Sequence, residues 1–455
     1  MTIVTPVAGP EPGIAFSRRS SVATIGAIVR NPLKALPPEV FDHRLVVSRI
    51  FGRTRVYIMD PVLIHEALVR NADALDKGDE IKRVLGPALG DGLLTADGGH
   101  WRWQRQSMAP AFQHGRLLAL LPAMITAAEE TRDRWRSADA GTIHDVGHDM
   151  MVTTFKIIVD TMLSGPGRID SGRVERGVTD YLQSTNWMFA LALLKAPAWM
   201  PYPGRKRTEA AASYLRDAVS TMIADRRREP GSQDDLVALL LGAADPESGR
   251  RMTDAEITDN LLTFITAGHE TTALGLGWTF MLLAKHPAIE QRVLDEIQAV
   301  TAGGPVTPEH VESLVYVRQV FQEAMRLYPP APMIARRVTR TFDLAGVTIA
   351  ADTMIAIPIY ALHRHAAVWD DPDTFDPDRF APEQAKARHR YAFMPFGAGS
   401  RICIGSAFAT MEAVAILAVL LQALRLETQG PMPEALMKVT LRPTDKLCMR
   451  VTPRQ

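Results

Sequence analysis

A chain of 455 residues with 47% hydrophobic residues can bury a large core, and 51 basic side chains against 51 acidic ones leave no net charge to attract nucleic acid. Its two cysteines, Cys403 and Cys448, exclude a disulfide framework of the secreted kind, and neither C-x-x-C nor C-x-x-C-H occurs. The 31 glycines and 31 prolines are dispersed without a linker, so a single domain over residues 1–455 is expected, with 1–40 a poorly defined N-terminal segment.

The first residues carry Pro6, Pro10, Pro12 and Arg18-Arg19 without a continuous apolar run, so no signal peptide is expected. No run reads as the roughly 18 apolar residues of a transmembrane segment, and a soluble cytoplasmic protein is the expectation.

Two β-branched runs, Leu45 to Ile50 and Arg55 to Ile58, flank Phe51-Gly52-Arg53-Thr54 and predict a hairpin. Pro61 opens a short helix over 62–69. Asp76 to Gly92 is glycine-rich and shows no clear periodicity. Trp101 and Arg105 then stand four apart, which on a helix places an indole N–H and a guanidinium on one face, both able to donate to a carboxylate. Leu117 to Gly165 reads as helical scaffold. Tyr181 to Tyr202 carries Trp187, Met188, Phe189, Leu191, Leu193, Leu194, Trp199 and Met200 at core-like helical spacing. Pro197, Pro201 and Pro203 break that pattern and predict a loop. Arg226-Arg227-Arg228 reads as a solvated helix end.

The spacing predicts one long helix from Thr253 to about Lys285. Thr253 and Glu256 form a capping box and His286-Pro287 marks the stop. About 30 residues give a rod on the order of 45 Å. At its middle lies Ala267-Gly268-His269-Glu270-Thr271-Thr272, polar groups among apolar neighbours, which need a reason to be buried. Ala267, Glu270 and Thr271 share one face. Gly268 and a back-bonding Thr271 predict a local opening of the helix that admits water or dioxygen. A helix over 314–327 follows with Glu323 and Arg326, then strands within 348–359 turning at Ala351-Asp352, then Phe375-Asp376-Pro377-Asp378-Arg379-Phe380. Cys448 reads as a buried thiol on a C-terminal strand.

Between them runs Pro395-Phe396-Gly397-Ala398-Gly399-Ser400-Arg401-Ile402-Cys403-Ile404-Gly405, before a buried helix. Glycines on both sides of Cys403 let the backbone come close to a flat cofactor, and backbone amides there can point at sulfur. The adjoining helix N-terminus favours thiolate, which suits iron that must cleave an O–O bond.

Phe396, Gly399, Arg401, Cys403 and Gly405 match the pattern F-x-x-G-x-R-x-C-x-G, Ala267 to Thr272 match [AG]-G-x-[DE]-T-[TS], and Glu323 and Arg326 match E-x-x-R. From about Leu45 to the C-terminus the sequence resembles the cytochrome P450 family in its soluble bacterial form. The resemblance implies a mainly α fold with a smaller β region (α+β), β-rich at about 45–60 and 336–360, with the long helix crossing over the haem. It implies haem b, iron protoporphyrin IX, held non-covalently with the Cys403 thiolate as axial ligand. Trp101 and Arg105 would bind one propionate and Arg336 the second, with Arg337 as fallback. Ala267 would leave room above the iron. Thr271 with ordered water would steer protons to dioxygen, and Glu270 would connect that relay to solvent. His269 falls at the variable position and would point away. Glu323, Arg326 and Arg379 would form a buried network fixing the cysteine loop, with Asp378 where Glu is common. Residues 187–202 would form a lid, and Pro332, Met333 and Ile334 would line the pocket.

The expected function is a haem-thiolate monooxygenase that hydroxylates or epoxidises an apolar molecule such as a fatty acid, terpenoid or steroid-like compound. No flavin or iron–sulfur motif lies in the chain, so a separate ferredoxin-type or flavodoxin-type donor with its reductase is expected, docking near Arg102, Lys386, Arg388 and Arg390. A peroxygenase or isomerase, or a non-enzymatic thiolate-haem sensor, would retain Cys403 but give no reason for Glu270 and Thr271.

Overall fold

The computed structural model describes residues 13–139, 141–163, 170–229, 235–245 and 249–454. Pro6, Pro10, Pro12 and the end of the helical stretch at Gly165 lie outside the described residues.

The β-branched runs do pair. Leu45–Ile50 lies antiparallel to Arg53–Ile58, with Leu45 opposite Ile58 and Ile50 opposite Arg53. The turn is therefore only Phe51-Gly52, both at positive φ (47° and 76°), as a two-residue type I′ hairpin requires. The hairpin sits inside a 6-stranded sheet ordered Ile14–Phe16, Leu45–Ile50, Arg53–Ile58, Met354–Ile357, Ile334–Val338, Leu75–Asp76. Leu45, Val47, Val56 and Ile58 alternate into a core shared with Ile355 and Ile357. That sheet holds Arg336 and Arg337 on adjacent, opposite-facing positions.

A larger helical core surrounds the long helix, which runs Asp254–Lys285 (32 residues) and buries Leu261, Leu262, Ile265 and Trp278 among others. Both halves of the capping box form: the Glu256 amide donates to Thr253 Oγ1 at 3.3 Å and the Thr253 amide to Glu256 Oε2 at 2.9 Å. Helix Val146–Met162 packs directly on it. A Cβ on Gly268 would come within 2.6 Å of Ile158 Cδ1, so this glycine serves close helix approach. The expected local opening is not present: the helix is continuous through Gly268 and Thr271.

Several expectations change. Residues 78–89 form a helix, Gly78–Leu89, burying Val84, Leu85, Ala88 and Leu89. Pro87 inside it masks the periodicity that these residues share. Arg226 is not a solvated helix end but is 2% exposed and paired with Asp235, because it points inward from helix Arg205–Arg228. Cys448 is exposed, since strand Cys448–Pro453 alternates and turns Met449 and Val451 inward instead. Helix Ser406–Ala423 is long and apolar enough to span a membrane, contrary to the sequence reading. It is 61% buried inside the protein, packed on helix His114–Arg136, so core packing accounts for its apolar character.

Candidate active site

The cysteine loop is built by Gly399. Its φ is +68° and a Cβ there would lie 2.5 Å from the Leu68 carbonyl oxygen, so no side chain fits. The turn lets the Cys403 amide donate to the Phe396 carbonyl at 2.9 Å. Gly405 has no such constraint from the protein. A Cβ there would meet Phe112 at 3.8 Å and Cys403 Sγ at 4.0 Å, leaving its face open. Phe112 stacks on Phe264 of the long helix with ring centroids 5.4 Å apart. One turn further along, Ala267 is exposed and Thr271 half-exposed although Ile265, His269, Glu270 and Thr272 beside them are buried. Cys403 is likewise exposed although protein encloses it. Both the sulfur and the Ala267–Thr271 face are thus accessible within otherwise buried surroundings.

Burial pushes the Cys403 thiol up, against the pull of the Gly405 amide and the Arg105 guanidinium. Burial of the uncoordinated thiol therefore works against the thiolate preference expected at the helix end. Helix Ser406–Ala423 starts three residues after Cys403, so the cysteine lies just before a helix N-terminus as expected, but desolvation is the largest influence on its thiol. Coordination to a metal cation, which deprotonates a thiol outright, has to supply that preference.

Near Arg401 of the cysteine loop the cations outnumber the anions. Arg336 is pushed down to about 10 by burial and by Arg401, with Asp97 opposing. Lys77 is lowered well below its ordinary value by burial, Arg336 and Arg401. Arg401 donates to Asp97 Oδ1 at 2.6 Å and lies 4.3 Å over the Trp101 ring; Arg105 is 5.9 Å from the same ring. Arg337 is spent elsewhere, donating to Asp76 Oδ2 at 2.6 Å, which removes it as fallback. The excess of basic side chains over Asp97 and Asp76 fits a bound dianion. Together with the accessible sulfur, the open Gly405 face and the small Ala267, they fit a flat iron porphyrin with two propionates.

Thr271 Oγ1 donates to the Ala267 carbonyl at 2.7 Å. Glu270 does not lead to solvent. It is 1% exposed, accepts from Thr440 at 2.6 Å and pairs with Arg442 at 2.5 Å, because the 435–443 hairpin closes over it. His269 points away as expected: its Nδ1 lies 2.5 Å from the Ile265 carbonyl and its ring meets Phe155 edge-on. Burial lowers its pKa.

Glu323 and Arg326 are fully buried and joined by two hydrogen bonds of 2.7 Å. Arg326 also donates to the carbonyls of His363, Pro372 and Thr374 at 2.8, 2.6 and 2.9 Å. Arg379 stands 3.5 Å from Glu323 as an ion pair. Asp378 instead holds Arg292 with two 2.8 Å bonds.

Arg388 is not free to dock a partner: it lies 4.1 Å over Trp369 and donates to the Arg379 carbonyl at 2.6 Å. Arg102, Lys386 and Arg390 remain exposed. Trp187, Leu194 and Trp199 are exposed while Met188 and Leu193 are buried, so helix Thr185–Leu193 is core and the proline-broken connection after it is surface. Ile334 packs into the sheet core, and Met333 packs with Met437 and Leu441. Lys77, Asp97, His363, Arg442 and Glu412 were missed by sequence reasoning. Only Glu412, a charge inside an apolar helix, carried a readable signal.

The Cytochrome P450 family profile matches residues 44–449. The chain belongs to the cytochrome P450 family. It is 35% identical over 435 residues to cyclooctat-9-en-7-ol 5-monooxygenase of Streptomyces melanosporofaciens, covering 93% of each chain. It is 33% identical to pentalenene oxygenase of Streptomyces avermitilis, over 93% of this chain and 92% of that one. The crystal structure of the cytochrome P450DA heme domain superposes with a TM-score of 0.79 at 27% identity, covering 90% of both. This P450 is therefore a monooxygenase with the mainly helical fold of its family. Like P450s generally, it takes electrons from a redox partner and uses dioxygen on apolar substrates.

Proposed function

We propose that this P450 hydroxylates or epoxidises an apolar polycyclic substrate of terpenoid type, with electrons from a separate ferredoxin-type or flavodoxin-type donor. The observation that carries the reading is the open Ala267–Thr271 face in an otherwise buried helix, together with an accessible Cys403. Support for the substrate class comes from relatives whose names specify cyclooctat-9-en-7-ol and pentalenene. Fatty acids and steroid-like molecules are the other members of the apolar range.

Haem b, when bound, supplies the redox chemistry that activates dioxygen. Cys403 would provide the anionic ligand, and Arg105, Arg336, Arg401 and Trp101 would hold the propionates, with Phe396, Gly399 and Gly405 shaping the loop. Ala267 leaves room for the substrate and oxygen. Thr271 holds a proton at Oγ1, next to the Ala267 carbonyl, and hands it towards oxygen through water. Glu270 would join the relay only once Arg442 and Thr440, which hold it away from solvent, part from it.

The test is turnover of pentalenene and cyclooctat-9-en-7-ol by the holoenzyme with a surrogate ferredoxin and reductase. Thr271→Ala is expected to bind substrate with an unchanged spin-state shift and to divert most reducing equivalents to peroxide. Tightly coupled product from Thr271→Ala would overturn the relay.

A further inference from the structure

The hairpin that closes over Glu270 is a sheet of two strands, Ala435–Met437 and Leu441–Pro443. Two short strands alone are marginal in water, so something outside the pair has to hold them. The second strand is fastened to the core. Its Leu441 amide donates to the Pro330 carbonyl at 3.0 Å, and Trp278 Nε1 donates to the Leu441 carbonyl at 3.4 Å.

The first strand is fastened by a residue from the other end of the chain. Asn31, 6% exposed, ends helix Ser21–Arg30. Its Nδ2 donates to the Ala435 carbonyl at 2.9 Å, and its Oδ1 accepts the Met437 amide at 3.0 Å. One side-chain amide thus takes up backbone groups two residues apart, as one residue of a neighbouring parallel strand would. Between them lies Leu436, which stands opposite Arg442 in the ladder. Arg442 Nε and Nη2 lie 2.7 and 2.5 Å from Glu270 Oε1, and Thr440 Oγ1 donates to the same oxygen at 2.6 Å. Asn31 is itself held in place. Its Oδ1 also accepts the Leu33 amide at 3.2 Å, and Leu33 packs against the cluster of Ala435, Met437 and Leu441. Asn186 Nδ2, 3.5 Å from the Met437 carbonyl, adds one long contact.

We propose that Asn31 is a positioning residue for the proton relay: it acts as a third strand on the hairpin and so holds Arg442 and Thr440 on Glu270. This rests on the reading that Glu270 joins the relay once those partners part. The hold comes from the two-sided character of the amide. A carboxylate could accept from Met437 but would turn a second acceptor on the Ala435 carbonyl, and an apolar side chain would leave both backbone groups without partners. Either change weakens the strand opposite Arg442, while the groups that touch Glu270 stay chemically intact. The N-terminal segment thereby sets how firmly the acid on the long helix is locked.

Hydrogen–deuterium exchange of the holoenzyme reads the clamp, and the solvent isotope effect on turnover with a surrogate ferredoxin and reductase reads its consequence. In Asn31→Asp, the amides of 435–443 are expected to exchange roughly tenfold faster, while helix His114–Arg136 keeps its wild-type rate. The isotope effect should shrink, as it should in Arg442→Ala, and a variant carrying both changes should match Arg442→Ala alone. Asn31→Leu, which removes the amide without adding charge, should behave alike and carries the test if Asn31→Asp does not fold. A role in stability alone would loosen the hairpin too but leave the isotope effect unmoved. Wild-type exchange across 435–443, an isotope effect of wild-type size in a loosened hairpin, or effects of Asn31 and Arg442 that add would each overturn the proposal. If Arg442→Ala shifts the isotope effect and the Asn31 variants do not, the positioning fails and the relay stands. If Arg442→Ala itself shifts nothing, Glu270 has no part in the relay and the proposal falls with it.

Discussion

His363 Nε2 accepts the backbone amide of Met394 at 3.0 Å, at the threshold of the cysteine loop. Its other nitrogen, Nδ1, donates to the Arg326 carbonyl at 3.2 Å, which defines the tautomer. One neutral imidazole therefore links the buried Glu323–Arg326 pair to the segment that presents Cys403. Burial and the nearby Arg326 push His363 down to about 3, so it keeps this role at every physiological pH.

His363→Ala is expected to lower Tm at neutral pH, since it orphans two buried backbone groups at ~1–3 kcal/mol each. A histidine depressed in the folded state is bound by fewer protons there than in the unfolded chain. Stability of the wild type should thus fall as pH drops from the ordinary histidine range towards about 3, by up to ~1.4 kcal/mol per pH unit. The Tm gap between wild type and His363→Ala should narrow over that range; a constant gap would contradict the assignment.

Glu412 has the opposite slope. Its folded pKa is raised to about 8, so the folded state holds a proton that the unfolded chain has released. Denaturant unfolding should show stability declining as pH rises from the ordinary carboxyl range to about 8 and levelling beyond it. Glu412→Gln should remove that part of the decline, visible as a flatter profile against wild type.

Removing Glu323 leaves a fully buried guanidinium without its anion. Glu323→Ala is expected to cost ~3–5 kcal/mol, with haem content in the purified protein falling sharply. Recovery of fully loaded protein with an unchanged Tm would refute the network.

Arg336 should show two effects of opposite sign. Its charge is desolvated and sits near Arg401 and Lys77, so Arg336→Leu is expected to raise the Tm of protein stripped of haem. The same change removes a partner for a propionate and should speed haem transfer to apomyoglobin. A lower apoprotein Tm would show that the cation cluster is not strained.

Glu270 is held by Arg442 and Thr440 at 2.5 and 2.6 Å. Arg442→Ala leaves a nearly buried carboxylate with one partner and should destabilise the protein by ~1–3 kcal/mol. If the ion pair gates the relay, the solvent isotope effect on product formation should shrink in this variant, which stopped-flow turnover in heavy water would detect.

Much of the site was legible because its residues are close in sequence. Phe396 to Gly405 is one loop, Ala267 to Thr272 is a turn and a half of one helix, and Glu323 and Arg326 are neighbours on another. The helix at 78–89 was hidden by Pro87, and its inward face is revealed only by what it packs against. Gly268 reads in sequence as a weak point; in the fold it is the place where Ile158 of another helix comes close.

The order of residues by itself determined the glycine-flanked cysteine loop, the long helix with its cap, and the hairpin, because each depends on local spacing, turn chemistry or a contiguous motif. Tertiary structure alone decided the charge state and direction of the polar groups around them. Burial pushes the uncoordinated Cys403 thiol up; strand alternation sends Arg337 to Asp76 and leaves Arg336 inside; a hairpin 170 residues away closes over Glu270. Desolvation and long-range pairing depend on what the chain brings together in space, and no short window of sequence contains that information.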